Sequence, residues 1–510
     1  MKKYVLVWLF LGLFLLTGCS GMDMMQPDGY YQGYANENVT HGETYEEIIE
    51  NDFIRTEDMP ISTFSTDVDT ASYSNIRRML NDGYLPNKDA VRIEEMINYF
   101  SYDLPKPSDD DVIDVYTEYS VAPWNQNHQL LMIGLTAKEI VFEETDGMNL
   151  VFLIDVSGSM YSTNKLPLLK EAMILLVDQL RPKDRISIVV YAGSAGVVLE
   201  GGDSTDKQEI IDALDELQAG GSTAGGEGIE LAYKVAERNF NEGGKNRIMI
   251  ATDGDFNVGI SSTDKLIELI EEKRETGVFL SVLGFGTENI RDDIMENLAD
   301  HGNGVYFYID SMQEAEKVFL HDLGATMFTV AKDVKLQIEF NPLHVKGYRL
   351  IGYENRVLNY EDFEDDKKDA GDMGAGHVVI AFYELIPADS SEEIETKEFE
   401  IPEDLKYQGN SNEDELMNIQ IRYKHPEEDT SLLIEDVTLV SSFTLETSES
   451  FRFASSVVEF GLILRDSKYK ADASIENIIS RAEDALGLDP NGYREEFLGL
   501  VEIAQELMND

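Results

Sequence analysis

One cysteine and seven histidines in 510 residues leave little material for a thiolate or imidazole metal centre. A lone cysteine cannot enter an intrachain disulfide. Basic residues are scarce as well: 41 Lys and Arg face 98 Asp and Glu, a formal charge of −57. A field of that sign repels nucleic acid and anionic headgroups, and it favours cations or basic partners. Long apolar runs are also missing. The stretch Tyr4 to Leu16 stops short of the ~20 residues that a membrane-spanning helix needs. No loop ends in the Gly-Lys-Ser/Thr of a phosphate cradle. With 43% hydrophobic residues the chain is globular, and its length calls for two or three domains.

What the chain does have is Asp155-Val-Ser157-Gly-Ser159, directly after the apolar run Asn149 to Ile154. One carboxylate and two hydroxyls at alternate positions suit a hard cation that takes oxygen ligands. The apolar run has the composition of a strand buried on both faces, and Lys165 to Leu180 has helical spacing. The motif therefore sits in the loop at the carboxyl end of a strand, where open α/β sheets bind ligands. Gly220 to Gly226 is a second loop, opening a helix from about Glu227 to Phe240 and carrying the hydroxyl of Thr223. Lys245 to Thr252 is a second buried strand, followed by Asp253-Gly254. A hydrolase reading fails on spacing: neither Ser157 nor Ser159 lies in a Gly-x-Ser-x-Gly elbow. His301, after a helix, is read as a C-terminal residue favoured by the dipole rather than as a base.

Asp-x-Ser-x-Ser, a threonine at the head of a helix, and Asp-Gly after a strand together resemble the metal-ion-dependent adhesion site of von Willebrand factor A domains. All five positions occur in the family's order over roughly 100 residues of chain. The resemblance implies that Ser157, Ser159 and Thr223 meet the metal through hydroxyls, while Asp155 and Asp253 act through waters and hydrogen bonds. Few direct charges then leave the cation electrophilic, and its remaining ligand is a carboxylate from a partner protein. Mg2+ is the expected occupant because it keeps waters and needs few carboxylates, with Mn2+ and Ca2+ as alternatives.

Met1-Lys2-Lys3 followed by Tyr4 to Leu16 has the charge order of a secretory signal peptide, and Leu16-Thr-Gly-Cys19 resembles a bacterial lipobox. That resemblance implies lipidation of Cys19 and anchoring to a membrane. Residues 19–43 then read as a flexible tether. The acidic stretches Glu361 to Asp366 and Ser390 to Glu400 lack EF-hand spacing and read as solvated loops.

The expected organisation is a signal peptide over 1–18, the tether, an N-terminal helical domain over 44–110, a β segment over 111–147, and an α/β domain over 148–328. A β-rich domain over 329–445 and a helical region over 446–510 follow. Asp69 or Thr70 is expected to cap the first helix, and Val91 to Phe100 to form the second. Strands at 149–154, 186–192, 247–251, 279–283 and 304–309 alternate with helices, and the last helix is expected over Met312 to Phe328. Strands on both sides of this unit suggest insertion into one sandwich, with contact between 112–137 and 333–440.

The layout is similar to bacterial von Willebrand factor A lipoproteins of the YfbK type. Val68 to Arg77 and Arg92 to Phe100 look like that family's leading domain, and His321 to Phe328 begins its trailing one. The implied fold is α/β, a mostly parallel Rossmann-like sheet covered by helices on both faces, flanked by an antiparallel β-sandwich and helical segments. The implied function is capture of an Asp or Glu side chain of a partner protein by an envelope lipoprotein, with no enzymatic role. An envelope-assembly scaffold with a purely structural metal is the alternative.

Overall fold

The computed structural model describes residues 43–66, 69–108, 110–221, 225–254, 263–287, 290–402, 405–407 and 412–509. The signal peptide, most of the tether, Cys19 and Thr223 fall outside them. A leading segment contributes β1 (Ile54–Arg55), β2 (Ile61–Ser65), α1 (Ala71–Asn81), α2 (Ile93–Asn98) and the hairpin of β3 (Ile113–Ala122) and β4 (Asn125–Ala137). The α/β unit opens with β5 (Met148–Asp155), α3 (Leu166–Gln179), β6 (Arg185–Tyr191), β7 (Ala195–Asp203), α4 (Lys207–Asp215) and α5 (Gly225–Arg238). It continues with β8 (Lys245–Thr252), α6 (Thr263–Arg274), β9 (Val278–Phe285), α7 (Asp292–His301), β10 (Tyr306–Ile309), α8 (Met312–Glu316) and α9 (Leu323–Met327). Then come β11 (Thr329–Phe340), β12 (Val345–Ile351), β13 (Val357–Leu358), β14 (Gly371–Gly374), β15 (Val378–Pro387), β16 (Glu415–Lys424) and β17 (Leu432–Leu439). Three helices close the series: α10 (Glu449–Leu464), α11 (Ile475–Glu483) and α12 (Tyr493–Asn509).

The α/β sheet has the order β10-β9-β8-β5-β6-β7. Every neighbouring pair is parallel except β6 and β7, where β7 closes the edge antiparallel. Both faces are covered, which is why β5 reads as an uninterrupted apolar run. Leu150, Phe152 and Ile154 pack on one side against α3, and Val151 and Leu153 pack on the other against α5. Each large side chain buried this way contributes roughly 1.5–3 kcal/mol.

Two antiparallel sheets make the sandwich, β1-β12-β15-β4-β3 and β13-β2-β11-β16-β17, with β14 also on β11. Strand β4, before the α/β unit, pairs with β15 after it, from Val378 against Thr136 to Leu385 against Gln129. The α/β unit thus leaves and re-enters one sandwich. Leu131, Ile133 and Leu135 face the inner core with Leu336, Ile338, Ile419 and Ile421. The alternate residues Leu130 and Met132 face outward, where α1, α2, α10 and α12 form a helical layer around Trp124, Phe100, Phe453 and Phe497.

Several local expectations are corrected by packing. Residues 44–110 are not purely helical: β2 pairs with β11, its polar side chains hidden because Tyr383 donates to Ser62 at 2.9 Å and Gln337 to Thr63 at 3.1 Å. Thr70 stands at the N-cap of α1 as expected, but its side chain makes no capping hydrogen bond. Glu95 accepts the Ser72 N–H at 2.8 Å instead, and Asp69 accepts the N–H of Tyr306 at the start of β10. The second helix is shorter than expected, Ile93–Asn98. The last α/β helix is broken by a π turn over Lys317–His321, where the Asp322 N–H reaches the Lys317 carbonyl at 2.8 Å.

Arg77 in α1 and Arg92 at the N-cap of α2 tie the α/β unit to the rest. Arg77 donates to Asp310 and Glu314, and Arg92 donates to Asp292 and forms an ion pair with Glu296. All six side chains are buried or nearly so.

Candidate metal centre

Strands β5 and β8 lie side by side, with Ile154 opposite Ala251. Their register brings Asp155 and Asp253, each just at or beyond a strand end, to the same edge of the sheet. Both carboxylates are buried. Asp155 Oδ1 accepts the Ser157 N–H at 2.7 Å, a turn that aims the loop back over the strand end. The Ser157 and Ser159 hydroxyls stand 2.9 Å apart. Among the described residues Asp155 Oδ2 is buried with no well-aligned hydrogen-bond partner, although the Tyr191 hydroxyl is close enough to favour the ionised carboxylate.

The glycine loop is stitched to this one. Gly158 N–H donates to the Gly221 carbonyl at 3.2 Å, and Gly220 N–H to the Val156 carbonyl at 2.8 Å. Those bonds bring the chain to within two residues of Thr223, whose own position lies outside the described residues. The structure therefore brings together Asp155, Ser157, Ser159 and Asp253.

Burial pushes the Asp155 carboxyl up to about 6, with the Asp253 charge adding to the rise and the Ser157 hydrogen bonds opposing it. Tyr191, at the end of β6, is pushed well above its ordinary value by burial and the Asp155 charge. Lys165 Nζ donates to Asp253 Oδ2 at 2.8 Å in a nearly closed environment. Sequence reasoning missed both Tyr191 and Lys165. The signal for Lys165 is there in hindsight: a lysine at the head of an apolar helix, just beyond the serine loop.

The donor set fits a hard divalent cation. It holds two buried carboxylates and two adjacent hydroxyls. Among the described residues no group of three or more Asp, Glu, His or Cys side chains is placed to hold a metal, so any cation here depends on hydroxyls. His301 ends α7 as expected, its Nδ1 2.9 Å from Glu271. A cavity of about 1410 Å3 opens at the opposite, amino end of the sheet, lined by Arg247, Val305, Asp372 and His377 among others. None of the four site residues lines it.

This sheet and loop set define a von Willebrand factor type A domain, and the model of that domain matches residues 149–321. A model described as von Willebrand factor matches residues 39–132, and one described as the C-terminal region of the uncharacterized protein YfbK matches 325–507. The uncharacterized protein YfbK of Escherichia coli (strain K12) is 42% identical over 473 residues, covering 90% of this chain and 80% of its own length. The chain belongs to the YfbK family of von Willebrand factor type A domain proteins. Among solved structures, a von Willebrand factor type A protein from Catenulispora acidiphila is 16% identical with a TM-score of 0.42, covering 78% of this chain and 91% of that one. Proximal thread matrix protein 1 from the mussel byssus, solved with a zinc-occupied adhesion-site motif, is 24% identical with a TM-score of 0.29, covering 34% and 44%. Domains of this class commonly carry a metal-ion-dependent adhesion site for a divalent cation.

Proposed function

We propose that this protein is a surface-exposed lipoprotein that captures an acidic side chain of a partner protein through a divalent cation. Asp155, Ser157, Ser159, Thr223 and Asp253 would hold the cation, and Mg2+ fits a donor set rich in hydroxyls and poor in carboxylates. When bound, the metal supplies an electrophilic centre for an external carboxylate. The chain's own groups set the stage for it: Ser157 and Ser159 present neutral oxygens, and the buried strand ends keep bulk water off Asp155 and Asp253. The observation that carries the reading is the pair of buried carboxylates on adjacent parallel strands beside two touching hydroxyls. Lipidation of Cys19 would tether the domain to a membrane of the cell envelope, outside the cytoplasm.

The test is retention of envelope proteins on the immobilised chain with Mg2+, with chelator, and with Asp155→Ala. Capture should require the metal and fail in the variant. Equal recovery in all three arms removes the reading. In the alternative, an assembly scaffold with a structural metal, Asp253→Ala would lower thermal stability while leaving partner retention intact.

A further inference from the structure

Lys165 is held in place more firmly than an ordinary surface lysine. Its stem runs across Gly286, where any Cβ would collide with the Lys165 side chain, and Gly286 itself adopts φ +80°. The Tyr308 hydroxyl donates to the Gly286 carbonyl and fixes that turn. At the end of this channel Lys165 Nζ meets Asp253 Oδ2 at 2.8 Å, with 9% of the lysine side chain exposed and none of the aspartate's. An ammonium delivered so deliberately to a cation site is a paradox, because like charges repel most strongly where water is scarce.

Charge counting resolves it. Asp155 and Asp253 contribute two negative charges, and the serines contribute none. With a divalent cation alone the site would be neutral. With Lys165 added it carries one net positive charge, which an incoming carboxylate cancels. We propose that Lys165 is a built-in counter-cation that weakens metal binding in order to keep the loaded site positive and selective for an anionic partner group. Lys165 is a positioning residue: it acts through Asp253, occupying Oδ2 and so leaving the metal short of direct charge. The proposal rests on the metal reading above.

Lys165→Gln retains a hydrogen-bond donor and removes the charge. Lys165→Met, which keeps most of the stem and removes the ammonium, provides a second route should the first variant fold poorly. Mn2+ binding is followed by electron paramagnetic resonance at about pH 8, where carboxylates are ionised. Both variants should bind Mn2+ about tenfold more tightly than the wild-type chain. Added acetate should strengthen Mn2+ binding to the wild-type chain and leave Lys165→Gln nearly unchanged. Thermal melts in chelator give a readout independent of the metal: Lys165→Gln should melt lower, since Asp253 loses its counter-charge. Equal Mn2+ affinities and equal acetate responses would overturn the role of Lys165 while the metal site stands. Absence of Mn2+ binding to every form would overturn the metal reading and this inference with it.

Discussion

Two groups of buried carboxylates in this acidic chain are handled in opposite ways. Around Arg77 one guanidinium serves Asp310, Glu314 and Glu496 together with the Tyr99 hydroxyl, using every face of its donor fork. Four elements meet there, α1, α12, α8 and the end of β10, so the cluster fastens the α/β unit to the helical layer. At Asp253 the protein supplies a point charge, Lys165, on one oxygen, and Asp155 accepts a backbone N–H from Ser157 in the loop that carries the paired Ser157 and Ser159 hydroxyls. A planar fork placed among carboxylates closes a cluster; neutral hydroxyls beside a pair of carboxylates leave room for a cation. The difference separates a structural clamp from a candidate binding site, although both are acidic, buried and close to strand ends.

That contrast can be broken experimentally. Arg77→Ala should cause the largest loss, ~3–5 kcal/mol in denaturant unfolding, because three carboxylates lose a buried partner. A loss below about 1 kcal/mol would mean that the clamp is not structural. Asp155→Ala should behave in the other direction. In chelator at neutral pH it should melt at or above the wild-type temperature, since burial raises the folded-state value of Asp155 to about 6 and its ionised form is a cost to the apo fold. With Mg2+ present the wild-type chain should gain stability, about 2.7 kcal/mol at a hundredfold excess over Kd, and the variant should gain none. An equal Mg2+ response in both forms would remove Asp155 from the site.

The smallest effect concerns pH at the second clamp. Burial raises Glu296 from 4.5 to about 8, even with Arg92 and Arg356 pulling it down. For an acid raised on folding, the associated stability is full below its unfolded value and is lost as pH rises through the folded one. Melting in chelator should therefore decline between about pH 5 and pH 8. Glu296→Gln should flatten part of that slope, and an unchanged slope would assign the decline to other groups.

The candidate site is legible in the sequence where its spacing is local. Asp155, Ser157 and Ser159 lie within five residues, and their placement at a strand end follows from one apolar run and one helical period. The alternation of strands and helices and the pairing of segments before and after the α/β unit were legible for the same reason. Legibility ended with polar strands and shared caps. Ile61–Ser65 carries hydroxyls at positions that a sandwich core normally fills with aliphatic side chains, and its partners on β11 are far away in the chain, Ser65 against Lys335 and Ile61 against Glu339. Asp69 looked like a helix cap because short-range statistics favour one, yet the buried outer edge of β10 offered it a backbone donor that no local pattern announces.

What the amino-acid sequence determined alone is therefore the α/β alternation, the family pattern of candidate oxygen donors and the strongly acidic character of the chain, all of which depend on composition or on spacing within a few turns. Tertiary structure decided which carboxylates acquired a cation from within the protein. Lys165 reaches Asp253 across 88 residues, and Arg77 reaches Asp310 across 233. Such pairs depend on where the buried apolar faces of distant elements come to rest, and that packing is a property of the whole chain rather than of any segment.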